Sequence, residues 1–220
     1  GICLQLLARE GITVRARIRS VADVEDNSPF TESVTHKPFP TVSDEAGEAM
    51  QQRIAAARAE GDSVGGILET AVTGLPAGVG EPWFDSMEGM LSHMLFSIPA
   101  VKGVEFGAGF ALADMKGSDA NDPFRMEEGK VVTDTNNSGG INGGITNGMP
   151  IVFRTAVKPT PTIFKSQNTV DFGNMTDALL KPKGRHDPAI VHRARIVQDA
   201  ATAIVLCDCL ALRFGTDWLR

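Results

Sequence analysis

From Ile12 to Arg19 two kinds of residue alternate without a break, Ile12, Val14, Ala16 and Ile18 against Thr13, Arg15, Arg17 and Arg19. A period of two marks a strand with one face on a core and the other on water. The arginines suit either a ligand-facing or a simply solvated sheet face, and the solvated face is the expectation here. Such a strand needs a layer over its apolar side, and helical stretches elsewhere in the chain can supply it. Residues 2–10 read as a helix that Gly11 stops, beginning without a capping residue ahead of Ile2. Ser43 is placed to cap a second helix to about residue 60, with Ala46, Met50, Ile54 and Ala57 on one face and Gly61 as its end. A third starts near Asp85 and carries Met87, Met90, Leu91, Met94 and Leu95, a stripe suited to core filling. Residues 196–212 are apolar almost all round, which predicts a buried helix. Strands are expected at 64–73, 103–106 and 150–157, and residues 24–42, with three prolines, read as loop. Strands and helices mix without regular βαβ alternation, so the predicted class is α/β of the α+β type with antiparallel sheets. At 220 residues, one domain over 1–220 is expected.

Composition removes several functions. A net charge of -6 argues against a general nucleic-acid binder, which needs clustered Lys and Arg. No apolar run approaches the roughly 18 residues of a membrane span, and the first residues lack the pattern of a signal peptide. Three cysteines without zinc-ligand spacing fit reduced thiols in a cytoplasmic protein, with no metal site. Cys207 and Cys209, two apart in a helix, point to different faces and are expected to be structural.

Three segments carry possible chemistry. Asn136 to Gly148 holds five glycines within ten residues, which makes sense where backbone comes close to a ligand or takes positive φ. A flexible loop would explain it equally well, since it matches neither the dinucleotide fingerprint nor a P-loop. Lys158-Pro159-Thr160-Pro161-Thr162 is stiff and extended, holding one cation and two hydroxyls in fixed relation, as a phosphate site or as an edge strand. Gly184-Arg185-His186-Asp187-Pro188 joins a guanidinium fork to a carboxylate whose backbone Pro188 keeps extended. From Lys158 to Arg195 seven cations face three carboxylates, an excess of four in an acidic chain, which points to an anionic ligand. Gly61-Asp62-Ser63-Val64-Gly65-Gly66 has the look of a serine-protease nucleophile segment, but the valine breaks that pattern and no histidine stands in the required context.

These segments, in this order, are similar to those of chorismate synthases. The resemblance runs through Gly61-Asp62-Ser63-Val64-Gly65-Gly66, Gly74-Leu75-Pro76-Ala77-Gly78-Val79-Gly80-Glu81-Pro82 and Ser97-Ile98-Pro99-Ala100-Val101-Lys102-Gly103-Val104-Glu105. It continues through Asn137-Ser138-Gly139-Gly140-Ile141, Asn147-Gly148-Met149-Pro150-Ile151 and the two segments at 158–162 and 184–188. It implies a β-α-β sandwich of antiparallel sheets and helices, assembled as a homotetramer. It also implies 1,4-anti elimination of phosphate from 5-enolpyruvylshikimate 3-phosphate to give chorismate, dependent on reduced FMN.

By position, Pro99 and Ala100 match the backbone contact to FMN, and Gly143 a glycine against the flavin. Lys158, Pro159, Thr160, Pro161 and Thr162 match the flavin-phosphate segment. Arg185 matches an arginine between flavin and substrate phosphate, and Asp187 the carboxylate assisting proton transfer. His186 is expected to position or support rather than to catalyse. The resemblance also implies that an amino-terminal portion with two histidines and several arginines is lacking here. The expectation is therefore the C-terminal portion of a longer enzyme, inactive alone. Its alternatives are a non-catalytic FMN or phospholigand binder and a purely structural fragment.

Overall fold

In a computed structural model, residues 1–30, 33–184, 186–216 and 218 are described. In chain order the elements are α1 (Ile2–Arg9), β1 (Thr13–Val21), β2 (Val24–Glu25), α2 (Asp44–Ala59), β3 (Gly66–Thr73), α3 (Met87–Phe96) and β4 (Val101–Phe106). They continue with α4 (Gly117–Ala120), β5 (Phe124–Glu127), β6 (Lys130–Thr133), β7 (Ile141–Asn142), β8 (Ile145–Thr146) and β9 (Ile151–Val157). Last come β10 (Gln167–Asp171), β11 (Thr176–Leu180) and α5 (Val191–Phe214). Five strands form one antiparallel sheet in the order β2-β1-β3-β9-β4, and the pairs β5–β6, β7–β8 and β10–β11 are two-stranded hairpins. The antiparallel α/β class expected from the sequence is what forms.

The period of two sets the layering. Register places Ile18 beside Leu68, Ala16 beside Thr70 and Val14 beside Val72, and carries that face on to Ile151, Phe153 and Thr155. This face is covered by helices. Ile151, Phe153 and Val72 pack with Leu91 and Leu95 of α3 and Leu206 of α5, while Ile18, Leu68 and Val157 pack with Met50 of α2 and Val191 of α5. Between the two clusters runs a polar link: the Thr155 hydroxyl meets Gln198 Oε1 at 2.5 Å, and Gln198 Nε2 donates to Thr70 Oγ1 at 2.7 Å. All three side chains are fully buried.

Two expectations need correction. Arg17 is not on a wet face, being 3% exposed. Its guanidinium pairs with Glu69 at 2.8 Å, stands over the Phe30 ring and donates to the Ser28 carbonyl. The register carries the charge row on from Glu69 to its neighbour Arg154, which pairs with Glu105 at 2.8 Å. Burial of a charge is tolerable when partners satisfy it, and four strands supply them in alternating sign. Nor is α5 buried all round, since Ile196 and Leu212 are 62% and 69% exposed. One side of α5 meets the sheet, and the other is left uncovered by the described residues.

Candidate functional site

Three segments distant in sequence meet where β9 ends and β3 and β4 begin. Val157 pairs with Gly66 on one side and Val101 on the other, so the residues flanking these strands are neighbours. Lys158 N donates to the Ala100 carbonyl at 2.9 Å. Ala100 holds φ at 74°, a conformation costly for a residue with a Cβ, and such strain gathers at functional positions.

The loop at 61–65 is the clasp of this corner. Ser63 Oγ donates to the Thr160 carbonyl at 2.6 Å, Phe164 N donates to the Gly61 carbonyl at 2.9 Å, and Val64 N donates to the Pro188 carbonyl at 2.8 Å. Gly65 is required here, since a Cβ would run into the Val157 carbonyl oxygen and lie 3.0 Å from Pro159 Cδ. The serine of the rejected protease-like motif thus binds backbone. Sequence reading matched this motif to relatives without finding its use, because its partners Thr160, Phe164 and Pro188 lie far along the chain.

The charges sort into paired and free. Lys165 meets Asp62 at 2.5 Å, and that hydrogen bond holds the Asp62 carboxyl below its ordinary range and the Lys165 ammonium above its own. Asp187 accepts from Arg193 Nη1, on the first turn of α5, at 2.6 Å. Burial first, then the Arg193 charge, pushes the His192 imidazole below its usual value against the pull of Asp187. Lys158 is exposed and makes no ion pair among the described residues. Thr160 Oγ1 and His186 Nε2 are out of reach of water and have no hydrogen-bond partner among the described residues. The imidazole of His186 stands edge-on to the Phe164 ring, centroids 5.0 Å apart. A free cation, stiff backbone and unsatisfied hydroxyl in one corner suit a small anion such as a phosphate.

Pro99, Ala100, 158–162, His186 and Asp187 are therefore brought into one hydrogen-bonded corner. Gly143 is not. It lies in the turn of β7–β8, where the neighbouring Gly144 carbonyl accepts from Met87 N at the start of α3. Ala100 follows the other end of that helix, about 15 Å away at 1.5 Å per residue. A Cβ on Gly143 would meet nothing within 4 Å in this chain, so its requirement for glycine here comes from φ of +59°. Arg185 lies outside the described residues.

The glycine-rich segment is ordered by a residue that sequence reading missed. Asp122 accepts from Asn137 N at 2.7 Å, Ser138 N at 2.8 Å and Thr135 Oγ1 at 2.6 Å. Burial raises its pKa, but these bonds together outweigh it and hold the carboxyl below its ordinary range.

The family model described as chorismate synthase matches residues 1–211. The chain belongs to the chorismate synthase family. A chorismate synthase of Thermococcus kodakarensis is 49% identical over 211 residues, covering 95% of this chain and 59% of that protein. One from Aeropyrum pernix is 45% identical over 219 residues, covering 97% and 58%. A crystal structure of a chorismate synthase superposes with a TM-score of 0.76 at 30% identity, covering 97% of this chain and 61% of that one. The chain thus spans about three fifths of the length of these chorismate synthases.

Proposed function

We propose that this chain supplies the flavin-anchoring part of an enzyme that converts 5-enolpyruvylshikimate 3-phosphate to chorismate and phosphate. Family membership over residues 1–211 is the observation that carries the reading, and the corner around Thr160 supports it. In this reading Lys158 neutralises the phosphate of FMN, and Thr160 and Thr162 donate hydroxyls to it. Pro159 and Pro161 fix the backbone so that these groups are held before the ligand arrives, which lowers the ordering cost of binding. An orphaned hydroxyl beside a free ammonium is a donor set that fits a phosphate. Pro99 and the strained Ala100 turn present backbone to the flavin, and Gly143 offers an unobstructed surface to it.

Reduced FMN, when bound, supplies electron density to the substrate as its phosphate leaves. Arg185 balances the negative charge of that departing phosphate. Asp187, its carboxylate fixed by Arg193, assists removal of the proton from carbon 6 as the C–O bond to phosphate breaks at carbon 3. The substrate carries one phosphate and two carboxylates, which accounts for cations converging within an acidic chain. The reading extends to one domain over 1–220, a homotetramer and a cytoplasmic location. No described helix is long and apolar enough to cross a membrane.

A second reading is retention of FMN without turnover, supported by phosphate-binding groups gathered at 158–160 within this chain. Incubation with 5-enolpyruvylshikimate 3-phosphate and chemically reduced FMN separates the two. Chorismate and phosphate released in equal amounts support the lyase. Flavin retained on dialysis without product supports the binder, and no retention removes both.

A further inference from the structure

One ring nitrogen in the corner has no part in the roles assigned so far. His186 is wedged edge-on against Phe164, and among the described residues its Nε2 has no partner and is covered from water. Leaving a buried polar atom unpaired costs about 1–3 kcal/mol, so packing against Phe164 does not by itself explain a histidine. A phenylalanine would fill that space without an orphaned nitrogen. The second unpaired atom of this corner, Thr160 Oγ1, lies on the segment that Ser63 ties to the same clasp. The loop at 61–65 ties together the two segments that carry them, through the carbonyls of Thr160 and Pro188. Lys158 makes no ion pair among the described residues and stands at the head of one of these segments, while Lys165 is taken by Asp62.

We propose that His186 is a phosphate-contacting residue, its Nε2 donating to an oxygen of the phosphate that Lys158 and Thr160 hold. The inference rests on the flavin-anchoring reading and adds to it a residue expected to position or support rather than to catalyse. Because Nε2 is covered, contact with a phosphate requires the imidazole to turn off the edge of Phe164. Phe164 itself is 46% exposed, so the two rings sit at the surface of the corner rather than in the core. The tautomer required carries its proton on Nε2, and imidazolium would serve as well. The flavin-anchoring reading makes that phosphate the flavin's; the substrate presents the same monoester chemistry, and the test tells the two apart.

The test compares three proteins by flavin fluorescence and calorimetry. Wild type is set beside His186→Phe, which keeps a flat ring against Phe164 and loses the nitrogen, and His186→Gln, which loses the ring and keeps a donor. Each is titrated with FMN, with riboflavin, which lacks only the phosphate, and with 5-enolpyruvylshikimate 3-phosphate. A hydrogen bond to a charged group predicts that His186→Phe weakens phosphate-ligand binding about 10-fold or more, while His186→Gln stays within about threefold of wild type. A loss confined to FMN, with riboflavin unaffected, assigns the flavin phosphate. A loss confined to the substrate assigns its phosphate. His186→Phe binding every ligand like wild type overturns the proposal, as does equal weakening toward FMN and riboflavin. Wild type binding none of the three overturns the flavin-anchoring reading and this proposal with it, an outcome distinct from a histidine that merely does not matter.

Discussion

Replacing Gln198 by alanine should damage the fold far more than its size suggests. Its amide joins β9 to β3 across the buried face of α5, accepting from Thr155 and donating to Thr70. Truncation strands both threonine hydroxyls where exposure is 0%. Each stranded group costs about 1–3 kcal/mol. A residual cavity of ~50 Å³ at about 24 cal/mol per Å³ adds about 1 kcal/mol. The expected loss is therefore about 3–7 kcal/mol, a large part of the 5–15 kcal/mol that typically holds a domain together. The decisive companion is the triple variant Thr70→Val, Thr155→Val, Gln198→Leu. With no polar group left in the link, it should lie within about 2 kcal/mol of wild type. Urea unfolding followed by circular dichroism measures both. A single variant that loses less than about 1 kcal/mol, or a triple that loses as much as the single, refutes the reasoning that unpaired hydroxyls rather than lost volume dominate.

Three further outcomes follow from the geometry. Gly65→Ala drives a methyl into the Val157 carbonyl and toward Pro159, so it should displace 158–162 and weaken FMN binding by dialysis while α2 and α3 stay helical by circular dichroism. Asp122 has a folded-state pKa below its unfolded value of about 3.9. Its contribution is thus present above that value and lost as pH falls through the lower folded one, and amide exchange at Asn137 and Ser138 should accelerate over that acid range in wild type but be fast throughout in Asp122→Ala. Asp199 runs the other way. Burial, opposed by Arg195 and the Ala16 backbone, raises its pKa to about 6, so the folded chain binds the extra proton and stability declines as pH rises from about 4 to 6. In Asp199→Asn the urea midpoint should lose that component of its slope.

Local chemistry explains which parts of the fold were legible. Ser43 caps α2 by accepting from Ala46 N at 3.1 Å, and Gly61 closes that helix at φ 67°, both signals that lie within a few residues of what they control. The alternation around β1 fixed which side chains face the helices. Arg17 was misjudged because its burial is decided by Glu69, 52 residues away, and by Phe30 in a loop without periodicity. The β10–β11 hairpin was missed despite the glycine in its four-residue turn, because its strands are exposed on both faces and carry no apolar–polar alternation.

The site was half legible for a similar reason. Stiffness at 158–162 and at Asp187 can be read from the prolines, but the clasp that joins them is tertiary. Gly143 lies only 15 positions before Lys158, yet β9 runs between them. Seven residues of extended strand span about 23 Å, and proximity in sequence becomes distance in the fold.

The central claim is that the corner tied together by Ser63 is where a flavin phosphate sits. Amide chemical-shift mapping during titration with FMN, against riboflavin as control, tests it most directly. The account predicts that Ser63, Lys158, Thr160, Thr162 and Asp187 shift with FMN and much less with riboflavin. Shifts that leave those amides untouched and gather instead in the apolar groove of Leu6, Met90, Met94 and Ile204 would contradict it.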